Sequence, residues 1–283
     1  MLSRTKVVLA FDAGSVQAAR VEQGLRSRRF AAFARKALEP DALRPLPLQP
    51  NVARPDEVRQ AARAVVLELE GVGKPGIVVL PDGVARMVLL DVPSGTEPGD
   101  YARFRLGPQL PYPATDAVID ASPVGGGRYI GAAVRRDVAA EYEALAEAAG
   151  LVCERVELSP LAALAALAAE RRRDEAQTSM DVVLGEAAFS MALFGGNAAL
   201  AFRNRRRDPG PHDGDRIGEE VERTALLGAA GSAPRVRLVG PGARRVAEGL
   251  RASGVDARTG WGEVPNLAAA DAEELAWLGA GLA

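Results

Sequence analysis

The chain has 283 residues, 48% hydrophobic and 25% charged, with a formal net charge of −2. This balance suits a folded chain long enough for two lobes, and a charge so near zero gives no general attraction to nucleic acid or to an anionic membrane surface. The single cysteine, Cys153, and the single histidine, His212, rule out internal disulfides, cysteine metal clusters and a histidine-based zinc site or triad resting on more than one loop residue.

Cys153 lies among Leu151, Val152 and Val156 and reads as a small buried apolar residue. The basic run Arg203-Asn204-Arg205-Arg206-Arg207 reads as a solvated hairpin end. The N-terminus enters a strand with no apolar signal core, and the longest apolar stretch, Leu161 to Ala169, is too short to cross a bilayer. A soluble, cytoplasmic protein is the expectation. Gly71-Val72-Gly73-Lys74-Pro75 fails as a phosphate loop, because Glu68 replaces the first glycine and Pro75 the magnesium-binding hydroxyl.

In chain order, Val7 to Phe11 is a short apolar run of the kind a buried strand shows. Asp12-Ala13-Gly14-Ser15 supplies a turn, and Val16 to Glu22 a second, alternating strand. The turn is either a plain β-hairpin or a site in which backbone N–H groups and the Ser15 hydroxyl face an anion while Asp12 holds a hydrated cation. Arg28 to Leu38 is a third strand, and 40–55, with five prolines, an irregular crossover. Asp56 is expected to cap a helix running to about Glu70, and Gly76 to Leu80 is a buried strand.

A segment of different character follows. It predicts a strand over 84–92, a helix over 97–105 and a rigid turn at Leu110-Pro111-Tyr112-Pro113. Strands over 115–121 and 129–134 are joined by the Gly125 to Gly127 tip, and an amphipathic helix over 136–149 stops at Gly150. A strand over 152–158 and a helix from Ser159 to about Arg173 lead into the second half.

That half repeats the logic of the first. Strands over 181–186, 189–194 and 198–203 form a meander, with tight turns at Gly185-Glu186 and Gly195-Gly196-Asn197. A helix over 215–227, a strand over 235–239, a Gly240-Pro241-Gly242 loop opening a helix to about Leu250, a short strand over 255–258 and a helix over 271–282 complete the chain. Two halves of strand–strand–strand–helix–strand suggest a duplicated fold.

Four stretches together carry a resemblance. Asp12-Ala13-Gly14-Ser15 resembles the first phosphate motif of actin-like ATPases. Leu110 to Pro113 with the strand at Asp116 to Asp120, and Tyr129 to Arg135 with Glu147-Ala148-Ala149-Gly150-Leu151, resemble segments of the PilM family of type IV pilus assembly proteins, which are cytoplasmic relatives of FtsA. Leu238-Val239-Gly240-Pro241-Gly242-Ala243 resembles the glycine-rich adenosine motif.

The resemblance implies an α/β, two-lobed actin-like (ribonuclease H-like) fold. The first lobe would span 1–158, with a small inserted α+β subdomain at about 84–150. The second, at 159–283, would be shortened by loss of most of its outer subdomain. ATP and magnesium would be met by Asp12, Gly14, Ser15, Gly185, Glu186, Gly240 and Gly242, with Asp12 on the metal. Three departures weigh against a working site. Val183 stands where the relatives carry Asp, with Asp181 out of register. The wall between Arg207 and Arg235 is reduced, and Pro241 removes a donor.

The implied role is a scaffold or adaptor, with nucleotide binding weak or lost. It would sit at the inner face of the inner membrane through its partner, with ring or filament self-assembly as a further implication. A groove built from about Val84 to Leu110 and the nearby first sheet would dock the N-terminal tail of a PilN-like inner-membrane protein. The alternatives are a working ATPase or ATP-dependent switch in the same machine, and the cytoplasmic domain of the type II secretion protein GspL, which shares the fold but continues into a membrane helix.

Overall fold

The computed structural model describes residues 4–23, 28–169, 178–208, 210, 212–227, 233–261, 277 and 279–282. The N-terminal strands β1 (Arg4–Asp12), β2 (Ser15–Gln23) and β3 (Arg28–Ala37) form an antiparallel meander. Val7, Leu9 and Phe11 enter one core and Val8 and Ala10 another, so β1 is covered on both faces. This is why its sequence runs apolar without alternation.

Helix α1 (Pro55–Glu68) buries Val58, Ala61, Ala62, Val65 and Val66. It does not start on an Asp56 cap. Arg54 is the N-cap and makes no side-chain cap bond, and Pro55, with its preset φ, opens the first turn. Asp56 instead pairs with Arg59 at 2.7 Å. Strand β4 (Pro75–Leu80) lies parallel to β1, and β8 (Val152–Leu158) lies parallel to β4. The sheet order is β3-β2-β1-β4-β8.

Between β4 and β8 the chain builds β5 (Ala85–Asp91), α2 (Pro98–Leu106), β6 (Ala117–Pro123), β7 (Arg128–Arg135) and α3 (Arg136–Ala148). The three strands form a separate sheet in the order β5-β7-β6. Strand β6 begins later than expected because Ala114–Asp116 turns as a 3-10 helix. Helix α2 covers one face of this sheet, joining Ala102 and Leu106 to Leu90, Ala117, Ile119 and Ala133. Its N-cap is Glu97, whose carboxylate accepts the Asp100 N–H at 2.9 Å.

After α4 (Ser159–Ala169) come β9 (Thr178–Leu184), β10 (Ala188–Gly195), β11 (Ala198–Arg206), α5 (Asp213–Leu227), β12 (Arg235–Val239), α6 (Ala243–Ala252) and β13 (Ala257–Thr259). The second sheet runs β11-β10-β9-β12-β13. Its order and its directions copy the first sheet strand for strand, a meander followed by two parallel strands. The duplicated two-lobed α/β architecture is therefore as the sequence predicts.

Helix α4 contributes Ala163, Leu164 and Leu167 to a core that reaches Val183, Phe194 and Val239 of the second sheet. The short α7 (Gly279–Leu282) packs on α4 so closely that a Cβ at Gly279 would stand 2.2 Å from the Ala162 carbonyl oxygen. The expected extension of α4 past Ala169 and the expected helix from Asp271 to Leu278 lie outside the described residues, apart from Trp277. The lone thiol of Cys153 is only half-buried, because β8 is the terminal strand of its sheet.

The inserted subdomain also reaches the second lobe. The Gly125–Gly126 tip presses on the Asn197–Ala198 turn, where added Cβ atoms would stand 1.9 Å from Asn197 O and 2.5 Å from Ala198 Cβ. Both glycines have positive φ, 85° and 61°, so the turn and the close approach each require them. Beside them Arg128 donates to the Ala199 and Leu200 carbonyls at 2.8 and 3.1 Å and pairs with Asp91 at 2.6 Å.

Candidate functional site

Each sheet ends its first two strands in a tight turn, and the fold brings the two turns together. Asp12 and Ser15 are directly opposed across Ala13-Gly14. The Asp12 carboxylate accepts the Ala13 N–H at 2.9 Å, locking the turn. In the second sheet Gly185 N–H donates to Ala188 O at 2.9 Å, leaving Glu186 at the tip. Its Oε2 accepts the Gly14 N–H at 2.7 Å, a bond between lobes across 172 positions of sequence. The backbone donor that the first turn could offer a phosphate is thus already held by a carboxylate. A charge-assisted bond of this kind contributes about 1.5–3 kcal/mol.

The surrounding charges are mostly negative. Asp82, in a 3-10 turn directly after β4, is buried, and its Oδ2 has no hydrogen-bond partner. A Cβ on Gly185 would fall 2.5 Å from Asp82 Oδ1, so a side chain there would have to displace the buried Asp82 carboxylate. Burial, and next to it the Glu186 charge, push the Asp12 carboxyl up to about 7. Burial, with Asp12 beside it, raises Asp82 as well. The nearest buried cation, Arg207, donates from Nε and Nη2 to Asp213 Oδ2 at 2.9 and 2.7 Å and from Nη1 to Gly185 O at 2.7 Å.

The glycine-rich loop lies against this second hairpin. Gly240 has φ +104°, and a Cβ there would meet Leu184 O at 1.9 Å. Gly242, with φ +78°, is the N-cap of α6 and sits beside the Arg207 guanidinium. Ser15 is fully buried, and its Oγ accepts from Gln17 Nε2 at 2.9 Å, while Gln17 Oε1 accepts from Trp277 Nε1 at 3.0 Å. That hydroxyl belongs to an internal chain. Asp12, Gly14, Gly185 and Glu186 are therefore brought together. Gly240 and Gly242 adjoin them through Leu184 and Arg207, and Ser15 is turned to the Gln17 side.

The space left between Asp12, Asp82, Gly185, Pro241 and Trp277 is a cavity of about 20 Å³, room for little more than one water. Glu186 holds the Gly14 N–H, the Asp82 carboxylate lines this space, and Arg207 is paired with Asp213. Val183 is buried opposite Ser190 and Val239. Asp181 pairs with Arg237 of the neighbouring strand at 3.1 Å, well away from the hairpin tips.

Two participants were not legible beforehand. Asp82 follows a buried parallel strand in Pro81-Asp82-Gly83, the strand-end position where α/β folds place functional groups, and that was the available signal. The sequence reads Arg207 as part of a solvated hairpin end. Arg205 and Arg206 are exposed, but Arg203 pairs with Glu220 and Arg207 is buried against Asp213.

A second concavity lies between the inserted subdomain and the first lobe. It is a groove of about 460 Å³. One wall is the β6–β7 face opposite α2, with Val118 and Val134, and the other is β8 and α4, with Val156, Leu158 and Leu161. The expected docking groove draws on about Val84 to Leu110 and the nearby first sheet; this concavity is lined by Leu80 and β8 of that sheet together with β6, β7, α3 and α4. Tyr112 of the expected rigid turn lies under the Arg135 guanidinium at the end of β7.

No model of a protein family matches the chain, and no curated protein matches it. Solved structures do. A chain of the PilM–PilN type IV pilus biogenesis complex is similar at 17% identity and TM-score 0.75, with 98% of this chain and 96% of that one covered. A Bacteroides thetaiotaomicron protein of actin-like ATPase fold and unknown function is 6% identical, with TM-score 0.57 over 84% and 82% of the two chains. The cytoplasmic domain of EpsL, an inner-membrane component of the type II secretion system of Vibrio cholerae, is 10% identical, with TM-score 0.52 over 84% and 82%. These likenesses, together with the paired sheets and facing hairpins, show that the chain has the actin-like ATPase fold.

Proposed function

We propose that this protein is a cytoplasmic adaptor of a type IV pilus or related secretion assembly machine, holding the N-terminal tail of a PilN-like inner-membrane protein. The observation that carries the reading is the open, largely apolar groove between the inserted subdomain and the first lobe, in a fold similar to the PilM–PilN complex chain. Extended tails are held in such grooves by main-chain pairing and alternate side-chain pockets. Nucleotide binding is weak or absent, because Glu186 already holds the Gly14 N–H. Among the described residues no helix is long and apolar enough to cross a membrane, so membrane attachment is assigned to the partner.

The test is calorimetric titration with a synthetic N-terminal tail of a PilN-like inner-membrane protein. Saturable binding, lost when Val118 and Leu161 are replaced by aspartate, supports the adaptor. Absence of binding by a folded protein overturns it.

The second reading, an ATP-dependent switch, draws on the same pair of hairpins. Opening the Glu186 contact would free Gly14 and bring Asp12 within reach of a hydrated magnesium ion. Titration of wild type and Asp12→Ala with MgATP decides it. Clear binding abolished by the substitution favours the switch, and no binding by wild type removes it.

A further inference from the structure

The groove has a charge pattern that specifies its occupant more closely than its shape does. Four ionisable residues line it: Asp120 on β6, Glu143 on α3, and Arg155 and Glu157 on β8. Arg155 pairs with Glu157 at 2.6 Å. Asp120 accepts a hydrogen bond from its own neighbour, Ala121 N–H, at 2.7 Å. Neither Asp120 nor Glu143 has a cationic partner among the described residues. Two uncompensated carboxylates thus stand in a groove whose other walls are Val118, Val134, Val156 and Leu161. Low-dielectric walls concentrate the field of such charges, so the groove attracts a cation and repels an anion.

The backbone adds a second constraint. β8 is the last strand of its sheet, and among the described residues no strand flanks its outer side. A segment lying there in strand conformation sends alternate side chains to opposite sides. One set reaches the apolar β8–α4 wall, and a long basic side chain in the other set can lay its methylenes on the opposite β6–β7 wall, beside Val118 and Val134, while its charge meets the carboxylates.

Building on the adaptor reading, we infer that the groove selects an extended, apolar peptide segment carrying a lysine or arginine, whose cation is met by Asp120 and Glu143. A neutral or acidic apolar segment of the same length binds more weakly.

The experiment titrates the partner tail used above into wild type, Asp120→Lys, Glu143→Lys and the double variant, with Asp120→Asn and Glu143→Gln as milder controls. Each lysine variant is expected to weaken binding by about tenfold. A tail whose basic residues are changed to glutamate is expected to bind the double lysine variant better than it binds wild type. Raising NaCl from about 50 to about 500 mM is expected to weaken the wild-type complex. A tail that binds wild type and all variants within about twofold, with no salt dependence, overturns the inference and leaves the adaptor standing. A tail that fails to bind wild type instead sinks the adaptor reading, and this inference with it.

Discussion

Replacing Glu186 with alanine should convert a closed pair of hairpins into an anion site. For a phosphate oxygen to reach the Gly14 N–H, it must displace the Glu186 carboxylate at 2.7 Å. Hydrogen bonds to charged groups contribute about 1.5–3 kcal/mol. Each 1.4 kcal/mol is a factor of ten in affinity, so removing this competitor alone strengthens MgATP binding by roughly ten- to a hundredfold. Relief of carboxylate–phosphate repulsion adds to that. Glu186→Gln keeps a neutral acceptor near the same N–H and should fall between wild type and Glu186→Ala. Titration calorimetry on the three proteins measures the series. A parallel readout comes from Asp12, whose carboxyl is raised to about 7 by burial and, second, by the Glu186 charge. Its pKa, followed by carboxyl NMR, should fall in Glu186→Ala. A folded Glu186→Ala protein that binds MgATP no more tightly than wild type would refute the competitor role.

Further outcomes follow from other parts of the fold. Asp12 has a folded pKa of about 7 against an ordinary 3.8, so the native state holds the extra proton between those values. Its contribution is complete below about 3.8 and is lost as pH rises through about 7. Asp82 acts in the same direction. Thermal melts from pH 5 to pH 8 should show a decline that is shallower in Asp12→Asn, and equal slopes would contradict the assignment. Asp181→Ala leaves the Arg237 guanidinium buried without its carboxylate, and urea denaturation should register a loss of about 3–5 kcal/mol, partly recovered by adding Arg237→Leu. Gly125→Ala places a Cβ 1.9 Å from Asn197 O at a φ of +85°. It should cost at least about 1–2 kcal/mol and raise amide hydrogen exchange around residues 197–200. Unchanged protection there would argue against a tight subdomain–lobe contact.

Much of the fold was legible because it is periodic and local. The covered run Val7 to Phe11, the Gly14 and Gly196 turns, the Ser159-Pro160 helix start and the repeated meander are each decided within a few residues, and their order fixes the two matching sheets. The candidate site was legible only in halves. Both hairpins could be picked out, but the bond from Gly14 to Glu186 joins residues 172 positions apart, and no periodicity encodes that meeting. Asp82 and Arg207 were missed for a related reason. A polar residue at a strand end looks solvated until the fold supplies the neighbours that bury it, here Gly185 for one and Asp213 for the other. No single stretch marks the groove, because its walls come from β6, β7, α3, β8 and α4, which become neighbours only after the inserted sheet packs against β8 and α4.

The glycine tip has a mechanical consequence. The inserted subdomain grows out of the first lobe and touches the second through Gly125, Gly126 and Arg128. The two lobes also meet directly where Glu186 holds Gly14. First lobe, subdomain and second lobe therefore close into a triangulated frame with a joint at each corner. A two-lobed clamp with one hinge opens when either side is pulled, whereas a triangle deforms only if a joint breaks. Tension applied to a segment seated beside β6 would run along that strand to the Gly125 tip and into the second lobe, so the molecule would bear the pull as a single rigid body.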